Sequence, residues 1–137
     1  MGEINWKDKC WVTTIFLVKD GKVLLTWNKN LQTWIPVGGH IELGENPEEA
    51  IIREVKEELG CSFVFYPDPD TSKDGSVKML KPFRIQVEKV PHHGHHINFV
   101  FFGRVLDFDN ANETDEGELV KWFSEKELIT EKILENV

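Results

Sequence analysis

The stretch Gly39 to Cys61, GHIELGENPEEAIIREVKEELGC, decides the fold, because it sets a loop and a capped helix around a group of acids. After Gly39 come five residues, Glu45, seven more, and then Arg53-Glu54-Val55-Lys56-Glu57-Glu58-Leu59-Gly60 and Cys61. Asn46 is a good N-cap, Pro47 suits the first helical position, and Glu49 completes a capping-box-like start. Gly60 is placed to stop the helix in a left-handed turn, so a helix is predicted over about 47 to 59. At roughly 100° per residue, Ile51, Ile52, Val55 and Leu59 fall on one apolar arc, with Glu54, Glu57 and Glu58 on the adjoining one. Ala50 lies among those acids, where its small side chain is expected to leave room for an approaching group. Carboxylates converging within a turn and a half of helix repel one another unless a cation neutralises them. Ligands that are all oxygen suit a hard ion such as Mg²⁺, which keeps several waters and completes its octahedron with substrate phosphates; Mn²⁺ is a natural substitute. On its own, an E-x-x-E-E run on a surface helix is most often a solvated face. Gly38-Gly39, Glu45, Arg53 and Gly60 at their fixed distances set this run apart.

The stretch resembles the signature of the Nudix hydrolases at every defined position. The one soft match is Cys61, where that family usually carries an aliphatic residue. The resemblance implies an α/β fold, the Nudix α/β/α sandwich with a mixed β-sheet between helices, over nearly the whole chain. It also implies that Glu57 and Glu58 bind a divalent metal together with Glu54, which matches a glutamate that in some members activates water. Arg53 looks like the arginine that ion-pairs within the motif and orients a catalytic glutamate, a task suited to its planar fork. By the same resemblance Glu45 supports the loop and helix geometry, the carbonyl of Gly38 is a further metal ligand, and Gly39 lets the backbone come close. Nudix enzymes often recruit one more acid from a loop before the last strand; Glu116 is the first candidate, with Glu118 beside it.

Composition narrows the class. With 137 residues and 40% apolar content, the chain is expected to form a single domain over 1–137 around one core. A net charge of −8 and the lack of a basic stripe argue against DNA as a partner. Cys10 and Cys61 form no C-x-x-C or zinc spacing, so reduced thiols and a cytoplasmic setting are expected. There is no secretory segment and no apolar run long enough for a membrane span. A homodimer is the expected assembly, since the aromatic content exceeds what one core needs.

Around the motif, 11–19 reads as a strand, Asp20-Gly21 as a hairpin turn and 23–27 as the returning strand, with a short loop leading into the box. A strand over 61–66, a polar loop over 67–76, and long antiparallel strands over 78–90 and 96–106 follow. After an acidic loop over 107–117 come a short strand at 119–123, a helix capped by Ser124 through 129, and an amphipathic piece at 131–135.

Three further features bear on a substrate. The cluster His92-His93-Gly94-His95-His96 cannot turn four rings on one ion without strain, and no Cys or acid supports it at zinc spacing. Contact with a phosphate or base is the better functional reading, with His96 at the mouth of its strand. His40, following Gly39, is a second candidate for phosphate contact. Trp34, just before the Pro36-Val37-Gly38-Gly39 turn, is a candidate stacking surface for a nucleobase, as is Trp27; core packing is the competing account of both rings.

The expected activity is divalent-metal-dependent hydrolysis of a nucleoside diphosphate linked to another moiety, a (d)NTP or an ADP-sugar type of substrate, with water attacking phosphorus. A catalytic set of Glu54, Arg53 and Glu57 follows from the resemblance. Two other readings stand beside it. A nucleotide-sensing regulator on the same fold usually has a damaged box, and this one is whole. An isoprenoid-diphosphate isomerase expects a catalytic Cys in a different motif, which neither Cys10 nor Cys61 offers.

Overall fold

A computed structural model describes residues 3–66, 73–90, 94–107 and 119–130. His92, His93, Glu116, Glu118 and the piece at 131–135 lie outside the described residues. The elements are β1 (Lys9–Lys19), β2 (Lys22–Asn28), β3 (Thr33–Ile35), β4 (Val37–His40), α1 (Pro47–Glu58), β5 (Phe63–Tyr66), β6 (Arg84–Val90), β7 (Gly94–Val105), β8 (Val120–Phe123) and α2 (Glu125–Thr130).

β1 organises the sheet. One of its edges runs parallel to β7 from Lys9 opposite His95 to Val18 opposite Arg104. The other edge is therefore shared: β2 takes Leu17 to Lys19, and β4 takes Val12 to Ile15, both antiparallel. β7 is divided the same way, with β6 along its first half and β5 along its last residues, both antiparallel. The sheet is mixed, as expected.

Side chains alternate across it. Ile15, Leu17 and Leu24 point to one face, where Ile51, Val55 and Leu59 of the α1 segment pack on them with Val37, Phe101 and Val105. The neighbouring Phe16, Val23 and Leu25 point to the other face and meet Phe123, Trp34 and Leu128 of α2. A helix on each face gives the α/β/α layering. Each fully buried aliphatic side chain contributes roughly 1.5–3 kcal/mol, offset by the entropy of ordering the chain.

The caps behave as the sequence implies. Asn46 accepts from the Glu49 N–H at 2.8 Å while the Glu49 carboxylate accepts from the Asn46 N–H at 3.1 Å. Gly60 takes φ +65°, the left-handed turn that ends the helix. Ser124 and Glu127 make the same reciprocal pair at the start of α2.

Several boundaries differ from expectation. The linker read as a loop holds β3 and β4, too short to show a period. The strand expected from Lys78 begins only at Arg84, beyond Pro82, which has no N–H to give to a ladder. β7 starts earlier, at Gly94, whose φ of +77° turns the chain against the Asp8 carboxylate.

The roll of α1 also differs, and it matters for the site. Ile52 is 48% exposed, whereas Ala50, expected to leave open space among the acids, is fully buried. The buried arc thus runs from Ala50 past Glu54 to Leu59, displaced toward the acids. Gly39 explains this: with no Cβ on the face of β4 that meets α1, the helix settles onto that strand on its acidic side.

Candidate active site

Arg53 sits at the centre of the acids. Its Nε and Nη2 donate to the two carboxylate oxygens of Glu45 at 2.7 and 3.0 Å, a bidentate pair. Nη1 donates to Glu54 Oε1 at 3.0 Å and to Glu57 Oε2 at 3.2 Å, and Nη2 also reaches the His40 carbonyl at 3.0 Å. The Glu42 carboxylate lies 3.6 Å from Nη1. One guanidinium thereby ties the loop before α1, the end of β4 and the acidic side of α1 into a single unit. Glu45 is also fixed from the loop, its Oε1 accepting from the Glu42 N–H at 2.9 Å.

The electrostatics divide the acids. The Arg53 hydrogen bond, followed by the Glu42 N–H, holds the Glu45 carboxyl below the usual range, so it is a committed anion. Arg53 is held still more firmly protonated, chiefly by Glu45. Glu54 goes the other way: burial raises its proton affinity, and the charge of Glu57 adds to this, while Arg53 and a hydrogen bond with Glu58 oppose it. Its side chain is 13% exposed against 51% for Glu57.

Glu54 owes its position to a missing side chain. A Cβ on Gly39 would stand 2.4 Å from Glu54 Oε1 and 2.8 Å from its Cδ, so only glycine lets this carboxylate lie against β4. Gly38 answers a different need, since its Cβ would fall 2.1 Å from the Thr13 carbonyl of β1. Here the requirement is strand approach.

This donor set fits a hard divalent cation. Glu54, Glu57 and Glu58 offer oxygen only, Arg53 satisfies part of the negative charge, and Glu54 is left in surroundings that disfavour its anion unless more positive charge arrives.

The rings of Trp34, His40 and His96 make contacts with residues other than the acids. Trp34 meets Trp27 at 5.4 Å and Phe123 at 5.1 Å, both edge-on, within the α2-side cluster, so its ring is engaged in core packing. His40 ends β4 and is exposed, while His96 lies near the start of β7; their rings meet edge to face at 5.5 Å. Glu116 falls outside the described residues. One polar group on the sheet has only a faint sequence signal. Asn98, 3% exposed, accepts from Thr14 Oγ1 at 3.2 Å and donates to Glu88 Oε2 at 3.0 Å, an oxygen that Gln86 also contacts. Only the polar residue inside the apolar run of β7 hinted at it. A depression of about 350 Å³ near the β1–β2 turn shares no lining residue with the acids.

Comparison with known proteins gives the same picture. The NUDIX domain family model matches residues 10–136. Among solved structures, a NUDIX family hydrolase from Clostridium perfringens is 32% identical over 88% of this chain and 84% of its own, with a TM-score of 0.73. A NUDIX hydrolase from Nitrosomonas europaea is 25% identical over 90% of this chain and 78% of its own, with a TM-score of 0.66. A UDP-X diphosphatase, 20% identical over 88% of this chain and 53% of its own with a TM-score of 0.61, is similar in fold. With the family model running almost from end to end over an intact box, the chain belongs to the Nudix family of hydrolases.

Proposed function

We propose that this pyrophosphohydrolase cleaves a nucleoside diphosphate linked to another moiety, with Glu54, Glu57, Glu58, the Gly38 carbonyl and Glu116 as the metal-binding set. The observation that carries the reading is the half-buried Glu54 carboxylate, laid over Gly39 and tied by one oxygen to Arg53. A bound Mg²⁺, replaceable by Mn²⁺, would screen the phosphates and acidify a water. Glu54, laid against Gly39 and held through one oxygen by Arg53, is placed to take the proton of the attacking water. The water oxygen bonds to phosphorus as the anhydride P–O bond breaks, and the departing phosphate keeps the bond electrons. Glu57 and Glu58 hold the charge balance of the site, while Arg53 fixes Glu54 and Glu57 against Glu45.

The remainder of the substrate lies near the exposed His40 at the end of β4 and His96 near the start of β7, whose rings are neighbours. The UDP-X diphosphatase, similar in fold, supports a nucleotide-derived compound. The reading extends to one domain over 1–137, a cytoplasmic enzyme acting on free nucleotides rather than on DNA, in line with the charge of −8. No helix among the described residues is long and apolar enough to cross a membrane. Exposed Phe83 and Ile85 beside and on β6 support a homodimer.

The test is a substrate panel in Mg²⁺ and in Mn²⁺, comparing pyrophosphate release from dNTPs with AMP release from ADP-ribose in ¹⁸O-labelled water. Cleavage of one series, with label entering a phosphate product, is expected; inertness toward every nucleoside diphosphate derivative in both metals would overturn the proposal. Arg53→Lys is expected to lower turnover about 10- to 100-fold, since a single ammonium cannot hold Glu45 bidentately while orienting Glu54. The measurement is kcat at saturating substrate, and an unchanged value would remove Arg53 from the positioning role.

A further inference from the structure

We propose that Cys10, His40 and His96 form a second metal site, distinct from the acids of α1 and selective for a borderline transition ion such as Zn²⁺. Their ligand atoms, the Cys10 Sγ and one ring nitrogen of each histidine, all lie within 4.8 Å of one another. In a tetrahedral zinc site with Zn–S near 2.3 Å and Zn–N near 2.0 Å, ligand atoms stand about 3.5 Å apart, so closure requires only small side-chain rotations.

The backbone makes the cluster a consequence of the fold. Cys10 of β1 is the register partner of His96 of β7, and His40 of β4 faces Val12, the residue two along from Cys10 on the same face of β1. Three adjacent strands thus each contribute one ligand, and strands hold ligands more rigidly than loops do. His40 is exposed and the other two are half-buried, so an ion has a path in and a fourth position stays open to water or substrate.

The chemistry of the set separates it from the acids. A thiolate and two imidazoles prefer Zn²⁺ to Mg²⁺, whereas the oxygens of Glu54, Glu57 and Glu58 suit a hard ion such as Mg²⁺ or Mn²⁺. The site also touches the hydrolytic machinery through one residue, since the His40 carbonyl accepts from Arg53. Spacing along the chain hides it completely: the histidine-rich run at 92–96 has no cysteine near it in sequence, and the sheet supplies one.

Metal-depleted protein titrated with Co²⁺ provides the test, because a cobalt–thiolate bond has a near-ultraviolet charge-transfer band and tetrahedral cobalt has intense visible bands. One equivalent is expected to produce both, and Zn²⁺ to displace it. Cys10→Ser should abolish the thiolate band, and His40→Ala and His96→Ala should each weaken Zn²⁺ binding by more than about tenfold. Cys61→Ser and Glu57→Gln should leave the bands in place, and circular dichroism would verify that each variant is folded. Absence of a thiolate band at stoichiometric Co²⁺, its survival in Cys10→Ser, or undiminished Zn²⁺ affinity in both histidine variants would overturn the proposal.

Discussion

Glu57→Gln and Glu58→Gln are each expected to lower Mg²⁺-dependent cleavage by on the order of 10²- to 10⁴-fold while the protein stays folded. The substitution keeps shape and removes one negative charge, so it isolates what the charge does. Glu57 is half exposed and contributes nothing to the core, and Glu58 lies beside Glu54, whose anion is already disfavoured by burial and by the neighbouring charge of Glu57. Glu57→Gln removes a like charge from beside such a group, which offsets the weakened Arg53 contact, and in Glu58→Gln the amide can still donate a hydrogen bond to Glu54. The melting temperature without metal should therefore hold as activity collapses. Steady-state turnover and thermal unfolding of the same samples separate the two effects, and near-normal turnover in both variants would sink the assignment of these acids.

Gly39→Ala is expected to lower turnover about 100-fold, a loss typical of a reacting group misplaced by about 1 Å. The added methyl would stand 2.4 Å from Glu54 Oε1, closer than any real contact, and the obstacle is the end of a side chain that can swing away. The fold should survive and the carboxylate should not stay in place. Gly38→Ala is the contrasting case. Its methyl would meet the Thr13 carbonyl at 2.1 Å, and a strand backbone has nowhere to go, so destabilisation of about 1–3 kcal/mol or more is expected. Equal kcat values for Gly39→Ala and the parent protein would show that the Glu54 position over β4 does not matter to catalysis.

The box was legible because its information is local. Cap, stop and acid spacing lie within one loop and one helix, and the Asn46–Glu49 reciprocal pair and the turn at Gly60 match that reading. The β1–β2 hairpin and the antiparallel β6–β7 pair were legible from alternating apolar residues and turn chemistry. The roll of α1 was not, because periodicity places residues around a helix without saying which part of the arc meets a neighbour. Ile52 and Ala50 changed places for that reason, the deciding partner being the side-chain-free surface of β4. Trp34 shows the same limit, since its ring packs on Phe123, far along the chain. The Asn98–Glu88–Thr14 network and the Cys10–His40–His96 cluster depend on strand register, which no local pattern contains.

The central claim is that Glu54, Glu57 and Glu58 together hold a divalent cation. Mn²⁺ binding followed by electron paramagnetic resonance tests it directly, with Cys10→Ser as background so that the second cluster does not contribute. The account predicts loss of free Mn²⁺ signal on adding this protein, and a weakening of that binding by at least about tenfold in Glu57→Gln and in Glu58→Gln. Mn²⁺ binding of equal strength in all three proteins would contradict it.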